Sequence, residues 1–169
     1  MNTSTYQNES SGITDWKKST GRAIRTDGCV FILCTGGRAT VAANMQKMVF
    51  RKDDLAVLTS DVYFAVSEVS SGFSARYVAL SEPVLEAAYY RITSVSLWDY
   101  LHHVPVLRLS PEQRCLVSGW LEQTEWILTH LDGSDRSVLL NNNVYNLFIA
   151  IDAELGKAVE TKIHAHKDR

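Results

Sequence analysis

The sequence predicts an α+β fold, in which a small antiparallel β barrel is followed by an antiparallel hairpin of two helices. Three observations support this prediction. Short apolar segments separated by turn residues occupy residues 22–81, helical spacing of apolar residues dominates residues 109–160, and a capping motif marks the start of the first long helix. With 169 residues, 46% of them hydrophobic, the chain is long enough to bury one core.

The composition divides the chain into four parts. Residues 1–20 are rich in Ser, Thr and Asn, which predicts a flexible N-terminal segment, with Trp16 as a residue that could dock on the body. Residues 21–82 are predicted to form the β barrel and residues 83–163 a helical region. Residues 164–169 are polar and basic, as expected at the start of a linker.

Six strands are predicted in the barrel region. Residues 29–34 are apolar on both faces, so this strand should be buried on both sides. Gly36 and Gly37 supply the positive φ of a hairpin turn, and residues 51–54 form a charged bend of a second hairpin. The other predicted strands are residues 38–43, 47–50, 55–58, 61–69 and 73–80.

Helices follow after Pro83. Residues 85–90 and 96–103 are short helical segments. Ser110 has the features of an N-cap, with Pro111 at the first helical position and Gln113 completing a capping box, so a long helix should run to about residue 131. A second long helix should begin at residue 134 or 135, because apolar residues then recur every three or four positions.

Charge and cysteine content restrict the function classes. The formal net charge is −2, so the chain lacks the basic excess that proteins gripping phosphate backbones usually carry. Its three cysteines include no CxxC pair and are expected to be reduced. No apolar stretch reaches the ~18 residues of a membrane helix, and the polar N-terminus lacks the apolar core of a secretory signal, which predicts a cytoplasmic protein.

Several segments resemble the N-terminal domain of AraC-type transcription regulators, particularly the Bacteroidetes branch. The resemblance spans roughly residues 22–160 and rests on patterns of apolar and turn residues rather than on catalytic signatures. The segments that carry it are residues 31–41 (FILCTGGRATV), 44–46 (NMQ), 55–58 (LAVL), 73–81 (FSARYVALS) and 106–112 (VLRLSPE).

This resemblance implies a cupin-like barrel, that is, a double-stranded β-helix or jelly roll, which senses a small effector. It further implies a homodimer formed through the helices, and control of DNA binding by an attached helix-turn-helix domain that this chain lacks. No cofactor and no membrane partner are implied. The sequence is therefore interpreted as the ligand-sensing and dimerisation domain of such a regulator.

Catalysis is not expected. Metal-dependent cupin enzymes need a pair of strand histidines, a glutamate and a further histidine, but this chain has no histidine before His102. No G-x-S-x-G elbow surrounds the serines at residues 70–74. We therefore predict no catalytic and no metal-binding residue. Two alternatives remain open: a small non-metal, isomerase-like cupin enzyme, and a dimerisation module whose filled barrel binds no ligand.

Two sets of candidate site residues follow. Apolar side chains expected to project into the barrel, together with an arginine at its rim, would bind the ligand, although the same side chains could simply fill the barrel. This set is Phe31, Leu33, Arg38, Val41, Phe50, Phe64 and Tyr77. The apolar faces of the two long helices would form the dimer interface. This set is Trp120, Ile127, Val144, Leu147, Phe148 and Ile151.

Overall fold

The computed structural model describes residues 3–92 and 95–167. The order of elements is mixed: nine strands precede the first α-helix, and a tenth strand lies between the second and third helices. The strands are β1 (Thr3–Thr5), β2 (Ser10–Thr14), β3 (Arg22–Arg25), β4 (Cys29–Gly36), β5 (Arg38–Ala43), β6 (Gln46–Arg51), β7 (Asp54–Thr59), β8 (Phe64–Val69), β9 (Ser74–Leu80) and β10 (Val106–Arg108). The α-helices are α1 (Glu82–Arg91), α2 (Val95–His103), α3 (Pro111–His130) and α4 (Gly133–Lys167).

The strands form two five-stranded sheets that face each other. The first sheet has the order β1-β3-β8-β5-β6, and the second has the order β10-β7-β4-β9-β2. Apolar side chains from both sheets share one core between them. A second core lies on the opposite face of the second sheet, where all four helices contribute buried side chains. The predicted α+β class, with antiparallel sheets and C-terminal helices, is confirmed.

The two predicted hairpins at residues 36–37 and 51–54 are corners instead. β4 lies in the second sheet and β5 in the first, so the chain changes sheet at Gly36 and Gly37. A Cβ on Gly37 would lie 2.6 Å from the carbonyl carbon of Gly72, which explains the glycine there. The true hairpin joins β5 to β6 through Asn44 and Met45, both with positive φ. Local turn chemistry is the same for a hairpin and for a corner, so the sequence does not separate them.

The strand β4 is buried on both sides, as predicted, but the assignment of its two faces was wrong. Val30 and Ile32 point between the sheets. Phe31 and Leu33, which were expected inside the barrel, point to the helices. Because every residue from 29 to 34 is apolar, the alternation of side chains along the strand carried no contrast from which the inner face could be chosen.

The N-terminal segment, for which the composition predicted flexibility, forms strands from Thr3 onwards. β1 pairs with β3 and β2 pairs with β9, so this polar segment satisfies its backbone groups as edge strands. Trp16 follows β2 and is 1% exposed. It stacks on Phe73 with 4.9 Å between ring centroids. Backbone pairing and one aromatic anchor therefore order a segment whose composition alone suggested disorder.

The start of α3 follows the prediction closely. Ser110 accepts a hydrogen bond from the backbone of Gln113, whose side chain accepts one from the backbone of Ser110, so the predicted capping box is present. α4 continues to Lys167, into the predicted linker, and residues 168–169 lie outside the described residues. None of the described helices combines the length and the apolar character needed to cross a membrane.

Candidate ligand cavity

The space between the sheets is filled by aromatic side chains. Phe50 and Phe64 are fully buried, and their ring centroids lie 5.4 and 5.7 Å from that of Trp16. Phe73 completes the cluster: it stacks on the indole, and its ring centroid lies 6.4 Å from that of Phe50. Trp16 Nε1 donates a hydrogen bond to the Tyr6 hydroxyl at 2.9 Å, and burial raises the pKa of that hydroxyl to about 12. In this conformation the chain's own N-terminal segment occupies the position of the ligand expected from the sequence.

The seven predicted ligand residues do not converge on one site. Val41, Phe50 and Phe64 are buried between the sheets, and Tyr77 lies at the edge of that core, 4.5 Å from Tyr6 between ring centroids. Arg38 is exposed at the start of β5. The remaining two, Phe31 and Leu33, belong to the core under the helices.

The residues chosen for a dimer interface are covered by the chain's own sheet. The Phe31 ring lies 4.8 Å from the Trp120 ring and 5.6 Å from the Phe148 ring, so α3 and α4 pack directly on β4. Ile127, Val144 and Leu147 are buried in the same core, and Ile151 packs against it half-buried. These six side chains close the intrachain core, and a partner subunit would need a different surface.

A cavity that the sequence did not indicate lies where the edge of the second sheet meets the helices. Its volume is about 470 Å³. It is bounded by β7 and β10 on the sheet side, and by α2, α3 and α4. The lining residues are Leu55, Tyr100, Val104, Val106, Leu107, Arg108, Leu109, Gln113, Leu116, Val117, Leu147, Ala150, Ile151 and Glu154.

The short strand β10 creates this cavity. Leu107 pairs with Leu55 of β7, but the strand ends at Arg108 and the capping box at Ser110 starts α3. α3 then leaves the sheet edge, and among the described residues no large side chain fills the gap between the strand, α3 and α4. Residues 104–109 (VPVLRL), an apolar stretch between two helices, are the part of the sequence that could have indicated it.

The polar side chains of the cavity are already engaged with neighbours. Arg108 lies 3.4 Å from the buried carboxylate of Asp54. Gln113 donates a hydrogen bond to Glu154 at 2.9 Å, and Glu154 also forms an ion pair with Lys157 at 2.9 Å. The hydrogen bonds from Lys157 and Gln113 and the charge of Lys157 hold the pKa of Glu154 below its usual value. The cavity therefore has an apolar body and a rim of charges that compensate each other.

Metal ligands are not grouped at this site. Within the described residues, His, Cys, Asp and Glu side chains do not gather in threes as a metal ion would require. His102 Nδ1 lies 2.9 Å from a carboxylate oxygen of Asp61, without the alignment of a hydrogen bond. His103 lies against Asp99 on its own helix at 3.5 Å, so the two adjacent histidines serve separate contacts.

Comparison with known proteins gives a fold but no family. No protein-family profile and no curated protein matches the chain. Among solved structures, apo ToxT K231A from Vibrio cholerae is similar over 85% of this chain and 55% of its own, with a TM-score of 0.53 and 7% identity. Wild-type ToxT from the same species, with an unsaturated fatty acid bound, is similar over 79% of this chain and 48% of its own, with a TM-score of 0.50 and 7% identity.

The chain thus spans about half the length of the ToxT structures that it matches. At this identity the similarity shows a shared fold. The chain is therefore a domain with two facing sheets, one of which is covered by helices. It shares its fold with part of ToxT and has an apolar cavity under those helices.

Proposed function

We propose that this chain is the small-molecule-sensing domain of an AraC-type transcription regulator. The observation that supports the proposal most is the shared fold, which covers most of this chain but only about half of ToxT, a regulator of the AraC family. The sequence resemblance to AraC-type regulators is a second, separate support. In this role the domain binds an effector in the cytoplasm and controls DNA binding by a helix-turn-helix domain outside these 169 residues.

A ligand bound in the cavity could change the arrangement of α3 and α4. Leu116 of α3 and Ala150 of α4 line the cavity, and both also line the groove between α3 and α4 on the outer surface. A ligand that changes the distance between these two residues would therefore change the shape of the outer groove. The effect on regulation is limited by the ligand's preference for one arrangement over the other.

A homodimer is the second part of the proposal, with its interface on the outer groove rather than on the buried face. Leu116 and Trp126 are 52% and 51% exposed, and with Gly119 and Gln123 they form a stripe along α3 with the three-four spacing of helix packing. Small residues in the groove, Gly119 on α3 and Ala153 on α4, allow close approach of a partner helix. The occupant proposed for this groove is a second copy of the chain.

A dimerisation module without a ligand is a second candidate. The observation that favours it is the filled space between the sheets, where Trp16 and Phe73 stack and close off the expected barrel site. A purely structural role predicts that no small molecule stabilises the domain. The two proposals differ in whether a small molecule binds in the cavity under the helices.

The test is a thermal-shift screen of the chain against sugars, sugar acids, aromatic acids and neutral amphiphiles. A ligand that binds only the folded state raises the melting temperature, by an amount that grows with the logarithm of its concentration above the dissociation constant. A concentration-dependent shift is expected for one ligand class, and the compound should be recovered chemically unchanged. No shift with any class would favour the structural module, and conversion of the compound would favour the isomerase-like alternative.

A further inference from the structure

The side chains that line the cavity under the helices determine which class of ligand it can bind. We propose that it binds an uncharged amphipathic molecule, with an apolar body and one hydroxyl or carbonyl group at its polar end. This inference rests on the proposed function and specifies the ligand class of that same domain. It differs from the site predicted between the sheets, which Trp16 occupies.

The walls of the cavity require an apolar ligand body. Ten of its fourteen lining residues are aliphatic, and they come from the sheet edge, from the loop after α2 and from both long helices. Leu55 of β7, Val117 of α3 and Leu147 of α4 are buried residues in the cavity wall. A volume of about 470 Å³ is within the range of small-molecule sites in proteins. Filling it removes apolar surface from water on both partners.

The charges at the rim argue against an ionised ligand. Arg108 is compensated by Asp54, whose carboxylate is buried and also accepts a hydrogen bond from the backbone of Arg51 at 3.0 Å. Glu154 is compensated by Lys157 at 2.9 Å. A ligand carboxylate at Arg108 would have to share that cation with Asp54, and a ligand cation at Glu154 would have to share that carboxylate with Lys157. Either ion would lose hydration without gaining an unshared counter-charge.

Hydrogen-bonding capacity for an uncharged group is present at the same rim. Arg108 makes two long contacts of 3.4 Å, to Asp54 and to the carbonyl oxygen of Val49, while a guanidinium carries five N–H donors. Tyr100 lines the cavity with a phenol that both donates and accepts. A hydroxyl or carbonyl oxygen placed there gains hydrogen bonds and leaves the ion pairs intact.

The experiment compares two probes with the same ten-carbon chain, decan-1-ol and decanoate, by titration of the whole chain at neutral pH. Decan-1-ol is expected to bind saturably and at least tenfold more tightly than decanoate. Ile151→Phe fills the cavity from α4 and should weaken decan-1-ol at least tenfold. Ile149→Phe makes the same change on the exposed side of the same helix, away from the cavity, and should leave binding within twofold of the parent.

Two further variants provide a replacement for Ile151→Phe and a test of the polar contact. Val104→Phe fills the cavity from the loop after α2 and replaces Ile151→Phe if that variant does not fold. Tyr100→Phe should weaken decan-1-ol by roughly two- to tenfold, which is the value of one net hydrogen bond.

The inference is overturned if decanoate binds as tightly as decan-1-ol, or if neither probe binds. It is also overturned if Ile151→Phe and Val104→Phe both bind decan-1-ol as tightly as the parent does. In each case a sugar or an aromatic acid that stabilises the domain in the thermal-shift screen would leave the proposed sensor function standing. The two conclusions therefore fail separately.

Discussion

Trp16 shows how one residue can decide the state of a binding site. Its backbone has a φ of 54°, in the left-handed region that side chains other than glycine seldom adopt. The burial of the indole against Phe50, Phe64 and Phe73 offsets this conformational cost. The sequence suggested that Trp16 could dock, but not that it would fill the space between the sheets.

Replacement of Trp16 by Ala should therefore destabilise the domain strongly. Removal of a fully buried indole leaves a large cavity, and we expect a loss of roughly 3–5 kcal/mol in the free energy of unfolding. The measurement is urea denaturation followed by circular dichroism.

Tyr90→Ala is the control, because this aromatic side chain is 81% exposed on α1 and lies outside the α3 stripe. Its loss should stay below about 1 kcal/mol. Equal losses in the two variants would mean that Trp16 does not anchor the core.

At the scale of elements, α3 is the part that local sequence determines best. The side chain and backbone of Ser110 and Gln113 satisfy each other's donors, and Pro111 presets the first helical φ. These interactions span three residues, so no tertiary contact is needed to specify them. The corner at Gly36 and Gly37 is the opposite case, because the partner strands β7 and β9 of β4 come from distant parts of the chain.

Ser110→Ala should cost about 1 kcal/mol of stability through the lost cap. Thermal and urea unfolding of the variant and its parent provide the measurement. Ser118→Ala, the same change inside α3, should be neutral or slightly stabilising, because alanine is the better helix former. If both variants lose the same stability, the cap is not what specifies the start of the helix.

At the scale of the whole molecule, the helices have two apolar faces with different roles. One face, with Trp120 and Phe148, closes the core over the second sheet. The other face, with Leu116 and Trp126, is exposed. An exposed apolar stripe at helical spacing is typical of a helix that meets a partner.

We expect the chain to be a dimer at micromolar concentration, and Trp126→Glu to weaken association at least tenfold by placing a carboxylate in the interface. Sedimentation equilibrium measures this. Tyr90→Glu on α1 is the control: this aromatic residue is 81% exposed on a different helix and should not affect association. A monomeric parent chain, or equal effects of the two changes, would exclude the α3 stripe as the interface.

The sequence by itself determined the segments of β4 to β9 and of the helices, the capping box and the absence of a histidine set in the strand region, because these depend on residues close together in the chain. The strands β1 to β3 and β10 were not among the predicted segments. The tertiary structure decided which face of β4 meets the helices, where Trp16 lies and that a cavity exists. The cavity brings Leu55 of β7 together with Arg108 of β10 and Glu154 of α4. Contacts over such separations depend on how sheets and helices pack against each other, and the local pattern of apolar residues is compatible with more than one packing.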